Sequence, residues 1–143
     1  MIEKLVPELK RRGHRIGVIK HAHHGFTMDH KGKDSWRHKE AGADTVIVAA
    51  PDGLAVMKTS GCDSLDKLTP FLTDVDLVIT EGFKTGRYPK IEIVRAARTR
   101  QPLCRDDETL VALVTDTDLD LGVARFNLED IPALADLIEH RFL

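Results

Sequence analysis

An α/β fold with a mixed, mostly parallel sheet is predicted by three observations. Segments of helical apolar periodicity alternate with short, continuously apolar strands, the pattern of a sheet covered on both faces by helices. Pro51-Asp52-Gly53 separates two apolar runs and marks one antiparallel hairpin. Polar and charged residues gather directly after apolar strands, where open α/β sheets place their ligands. At 143 residues the chain has the length of a single domain, assigned here to 1–143.

The elements follow in order. Ile2, Leu5, Val6 and Leu9 recur at i, i+3, i+4 and i+7, one face of a helix. Lys10, Arg11 and Arg12 suit its negative C-terminal end, and Gly13 can take the left-handed stop. Pro7 strains this assignment by removing a backbone donor. No Ser, Thr, Asp or Asn precedes Ile2 as a cap, so the apolar face begins as if inside an element. Residues 15–20 read as a short buried strand, followed by a His-rich loop over 21–32. Asp34 or Ser35 starts a helix that carries Trp36, expected in the core, and stops at Gly42. Residues 45–50 and 54–58 form the hairpin. Asp63 or Ser64 starts a short helix with Leu65, Leu68 and Leu72 on one face, limited by Pro70. Residues 76–80, 90–94 and 110–115 read as strands, and 96–107 as an Arg-rich loop. Ile131, Leu134, Ala135, Ile138 and Phe142 mark the apolar face of a closing helix.

Composition excludes several classes. A net charge of −2 is no polycation built for nucleic acid. No apolar run reaches the roughly 18–20 residues a membrane helix needs, and the N-terminus lacks an apolar signal core. Cys62 and Cys104 have neither metal spacing nor a disulfide pattern, and read as reduced thiols of a cytoplasmic protein.

Three strand ends carry candidate chemistry: Lys20-His21-Ala22-His23-His24, with Asp29, Lys33 and Asp34 shortly after; Glu81-Gly82-Phe83-Lys84; and Thr115-Asp116. A carboxylate such as Glu81 beside a buried strand can hold hydrated Mg²⁺ or orient water. Lys20, Lys33 and Lys84 can offer charge to phosphates. His21, His23 and His24 with Asp29 also admit a transition metal, or a loop that only donates hydrogen bonds. Gly32-Lys33-Asp34-Ser35 is no phosphate loop, since Thr27 stands where the first Gly is required and Asp34 where Ser or Thr is. The motif Gly-x₄-Gly-Lys-Ser/Thr occurs nowhere in the 143 residues.

Gly17-Val18-Ile19-Lys20-His21-Ala22-His23-His24 with Phe26, Asp29, Gly32-Lys33-Asp34-Ser35, Arg37-His38 and Ala41-Gly42-Ala43 resembles the MobB family. So do Leu77-Val78-Ile79-Thr80-Glu81-Gly82-Phe83-Lys84 and Pro89-Lys90-Ile91-Glu92. The resemblance spans most of the chain. It implies a P-loop NTPase-like fold, here without its first strand and phosphate loop, and a GTP-binding accessory role in molybdenum cofactor biosynthesis. The implied partners are a MobA-type guanylyltransferase, molybdopterin and a second copy of the chain. GTP and Mg²⁺ are the implied cofactors, with weak GTPase activity at most and no catalytic residue assigned. Carried over by position, Lys20, His21, His23, His24, Lys33, Gly82, Lys84, Thr115 and Asp116 face the nucleotide, and Asp29 and Glu81 lie near Mg²⁺. Without the first strand, sheet edges stay unpaired, and marginal stability or association is expected. Two other readings stand beside this one: an interaction module that docks through the 45–58 hairpin without nucleotide, and a His-loop metal protein.

Overall fold

The computed structural model describes all residues except 23, 60, 62, 63, 99 and 100, which places His23, Cys62 and Asp63 outside the described residues. The chain divides into two compact units: residues 1–20 with 74–143, and residues 21–73.

In the first unit, α1 (Ile2–Arg11) runs through Pro7, with Leu5 and Leu9 buried. It ends as its glycine predicts. Gly13, at φ 99°, donates its amide to the Lys10 carbonyl, and the His14 amide reaches the Leu9 carbonyl. This Schellman pattern satisfies two otherwise orphaned carbonyls. β1 (Ile16–Lys20) pairs in parallel with β4 (Leu77–Glu81), and Lys20 lies opposite Glu81. A second parallel sheet has the order β5–β6–β7, formed by β5 (Lys90–Val94), β6 (Leu110–Thr115) and β7 (Ala124–Phe126). β6 is the most buried strand. The closing helix α4 (Ile131–Phe142) turns Ile131, Leu134, Ala135 and Ile138 inward, while Phe142 stays exposed. Leu5 and Leu9 of α1, Val114 of β6 and the inward face of α4 make one core, against which Ile16, Leu77 and Ile79 also pack. Burial of this kind is worth roughly 1.5–3 kcal/mol per large side chain.

The second unit holds α2 (Asp34–Glu40), the antiparallel hairpin of β2 (Thr45–Ala50) and β3 (Gly53–Lys58), and the short helix α3 (Leu65–Leu68). A 3₁₀ turn over Thr69–Phe71 follows α3. Gly42, at φ 100°, ends α2 in the same way: its amide donates to the Lys39 carbonyl and the Ala43 amide to the His38 carbonyl. β2 and β3 are in full register from Thr45–Lys58 to Ala50–Gly53. Val46 is buried, whereas Ile47, Leu54 and Val56, which share one face by register, are exposed.

Three expectations need adjustment. Trp36 is half-buried, and α2 has no buried residue. The strands pair as separate groups among the described residues, and Val18, Val78 and Ile93 are exposed, so covering of both sheet faces is incomplete. β7 was not predicted, because three residues are too few to show a period.

Candidate functional site at the strand ends

In the first unit, Lys20 and Glu81 end neighbouring parallel strands, and the ammonium stands 3.5 Å from the carboxylate. Both side chains are largely exposed, so the pair is weakly held and open to exchange for a ligand. Directly after Glu81, Gly82 and Phe83 both adopt positive φ, 105° and 53°. For Phe83 that is an uncommon and costly conformation, of the kind found where a loop must present a particular path. Gly86 closes the turn on the Phe83 carbonyl at 3.0 Å, and Lys84 is exposed within it.

Lys90 holds the base of this loop. Its ammonium donates to the Gly86 carbonyl and to Thr109 Oγ1 and pairs with Asp107 at 2.9 Å. Hydrogen bonds from Thr109, and then from Lys90, bring the Asp107 carboxyl down to about 2.

The third strand end is committed to the protein itself. Thr115 is fully buried, and its hydroxyl pairs with Thr117 Oγ1 at 2.9 Å and accepts the Thr117 amide. As packed, it does not offer its hydroxyl to a ligand. Asp116 accepts the Ala96 amide at 2.8 Å through one oxygen and is otherwise exposed. The loop after β5 is fastened at its far end by Glu92, a strand residue only 8% exposed. The Glu92 carboxylate accepts the Leu103 amide through one oxygen and the Cys104 amide, at 3.0 Å, through the other. Burial, and then Glu92, push the Cys104 thiol up, so it stays protonated and poorly nucleophilic. Lys90 and Glu92 entered the sequence reading only as parts of a motif. Their signal was parity: both share a strand face with the buried Val94.

In the second unit, Ala22 and Gly25 close a turn, and His24 is exposed in it. His21 is half-buried, and Lys33 is exposed before α2. Asp29 accepts the His30 amide through Oδ1 at 2.7 Å. Its Oδ2 is buried and receives no hydrogen bond among the described residues. A buried carboxylate oxygen without a donor is costly in a finished structure and is the kind of acceptor a cation would satisfy. Among the described residues no three His, Cys, Asp or Glu side chains cluster as a transition-metal site. Among them, too, no helix is long and apolar enough to cross a membrane.

Comparison with known proteins finds relatives along most of the chain. Residues 1–116 match the family MobB, described as "Molybdopterin guanine dinucleotide synthesis protein B". The chain is 43% identical to a molybdopterin-guanine dinucleotide biosynthesis adapter protein of Haemophilus influenzae, over 98% of this chain and 80% of that one. Its Escherichia coli counterpart is 36% identical over 96% of this chain and 82% of that protein. A crystal structure of molybdopterin-guanine biosynthesis protein B superposes with a TM-score of 0.73 at 28% identity, covering 97% of this chain and 88% of the other. Bacillus subtilis MobB shares the fold, with a TM-score of 0.68 at 23% identity. The motifs, the α/β architecture and these relatives together establish that the chain belongs to the MobB family.

Proposed function

We propose that this protein is an adapter in molybdopterin guanine dinucleotide biosynthesis, that it binds GTP with Mg²⁺, and that it assists a MobA-type guanylyltransferase acting on molybdopterin in the cytoplasm. The observation that carries the reading is the 43% identity, along nearly the whole chain, to a protein named as such an adapter. Asp29, in the second unit, has a buried oxygen without a donor among the described residues, the kind of acceptor a cation satisfies; Glu81, in the first unit, is an exposed carboxylate at a strand end. Mg²⁺ would supply neutralisation of phosphate charge. In the first unit Lys20 and Lys84 would bind phosphate, with Gly82 setting the path of their loop; in the second unit His21, His24 and Lys33 would offer polar contacts to an anion. Thr115 and Asp116 would act by shaping the loop near the base. A second copy of the chain is the proposed partner of the exposed hairpin face, where Ile47 and Leu54 are 62% and 72% exposed.

A second reading rests on a different observation. Ile47, Leu54 and Val56 share one exposed face of the hairpin, a surface suited to docking a protein partner. On that reading the chain is an interaction module that works without nucleotide.

Calorimetric titration of GTP with Mg²⁺ separates the two, run on this chain and on one extended upstream by a strand and a loop ending Gly-Lys-Thr. Mg²⁺-dependent binding that weakens in Asp29→Asn supports the nucleotide reading. Absence of binding by both chains supports the module. Sizing of the same samples by sedimentation reads self-association, which Leu54→Asp should disrupt.

A further inference from the structure

We propose that Arg95 and Arg98 form an oligophosphate-binding strap at the carboxyl edge of β5 and β6, a role that rests on the nucleotide reading above and extends it to residues it does not use. The strap begins where β5 ends at Val94 and is tied down at two places. Near its start the Ala96 amide donates to Asp116, at the end of β6. At its far end the Leu103 and Cys104 amides donate to the buried Glu92. Glu92 is buried with both oxygens accepting backbone amides and so does not reach the solvent face, while Asp116 keeps one oxygen exposed.

What the strap presents to solvent is cationic. Between residues 84 and 105 every charged side chain except Glu92 is basic, in a chain whose net charge is −2. The Arg98 amide closes a turn on the Arg95 carbonyl at 3.0 Å, which keeps the two arginines at the ends of one turn. Both side chains are exposed, and neither forms an ion pair among the described residues. Arg95 lies close enough to Glu129 to help lower its carboxyl, although Lys4 is the partner that holds Glu129 directly. The position is the edge at which open α/β sheets bind ligands. Arginine's planar fork suits phosphate oxygens, and the turn closed between Arg95 and Arg98 keeps both forks on one short segment.

The test titrates inorganic tripolyphosphate, and separately GTP with Mg²⁺, into the full chain and into Arg95→Ala/Arg98→Ala and Arg95→Lys/Arg98→Lys variants. Both positions are exposed, so melting curves should coincide with the parent. The expected result is tripolyphosphate binding that falls roughly tenfold or more in the alanine variant and less in the lysine variant. Unchanged binding in the alanine variant, or no tripolyphosphate binding by the parent chain, overturns the strap. An arginine effect confined to association with a guanylyltransferase also overturns it, in favour of a protein-docking surface. The GTP arm reports on the nucleotide reading separately: tripolyphosphate binding without GTP binding keeps the strap and removes that reading.

Discussion

Glu92 shows how one residue can decide the path of a loop. It sits in a strand, 8% exposed, with each carboxylate oxygen accepting a backbone amide. Glu92→Ala would bury or strand two amides without an acceptor, and should destabilise the protein by about 2–3 kcal/mol in urea unfolding. Glu92→Gln keeps the shape but turns one acceptor into a donor facing a donor, so it should cost less than Ala and more than a surface change. The strand was legible from Lys-Ile-Glu-Ile-Val, and parity placed Glu92 on the side of Val94. Its partners were not legible, because they return from eleven and twelve residues away along an irregular loop. Asp116 was similar. Its position after an apolar strand marked it as a ligand candidate, and the structure shows one of its oxygens accepting the Ala96 amide.

Between elements, the α1–α4 pair joins an apolar seam to a charged rim. Arg12 bridges from α1 to Asp136 and Glu139 of α4 while also binding Glu8, and His14 meets Glu139 at 2.6 Å. Arg11 and Arg12 bring the Glu8 carboxyl from its ordinary 4.5 to about 2. His14, and then Arg12, lower Glu139 in the same direction. A depressed carboxyl contributes stability that is fully present above its unfolded value and is lost as pH falls through its folded one. Denaturant midpoints should therefore drop as pH is lowered from about 4.5 towards 2, and Glu8→Gln should flatten that dependence. A parent profile that is flat across this interval would show that the rim contributes nothing.

Helix ends at Gly13 and Gly42 were readable because a left-handed stop has a residue signature. The helix beginning near Ser64 is short, as Pro70 predicts, and Leu72 falls beyond it. Pro70 lies where a second turn would need a donor, and the helix gives way to a 3₁₀ turn. Strand pairing was less legible again, since it is set by contacts remote in sequence.

At the scale of the whole molecule, the chain leaves β1 at Lys20, builds an entire unit, and returns to β4, the parallel neighbour of β1. Arg15 and Asp76 latch the entrance to this pair. The Arg15 amide donates to Asp76 at 2.7 Å, the guanidinium adds a second contact at 2.7 Å, and the Asp76 amide returns to the Arg15 carbonyl at 2.8 Å. The latched residues are 61 apart in sequence, whereas the hairpin strands are joined by two residues. Loop-closure entropy therefore favours the hairpin forming first and the β1–β4 pair later. Asp76→Asn should accordingly speed unfolding while leaving the folding rate nearly unchanged, as read from the two limbs of a stopped-flow chevron. An equal slowing of folding would place the latch in the folding nucleus.

That long crossover also bears on the protein's birth. At roughly 5–20 residues per second on the ribosome, β1 would wait about 3–12 s for β4 to be made, across the 61 residues between their latch points. During that interval α4, whose inward face shares the core with Ile16, is not yet made. The nascent chain thus carries β1 without its β4 partner while 61 of its 143 residues are added, and over that interval is a substrate for any chaperone that binds short apolar segments near the exit tunnel.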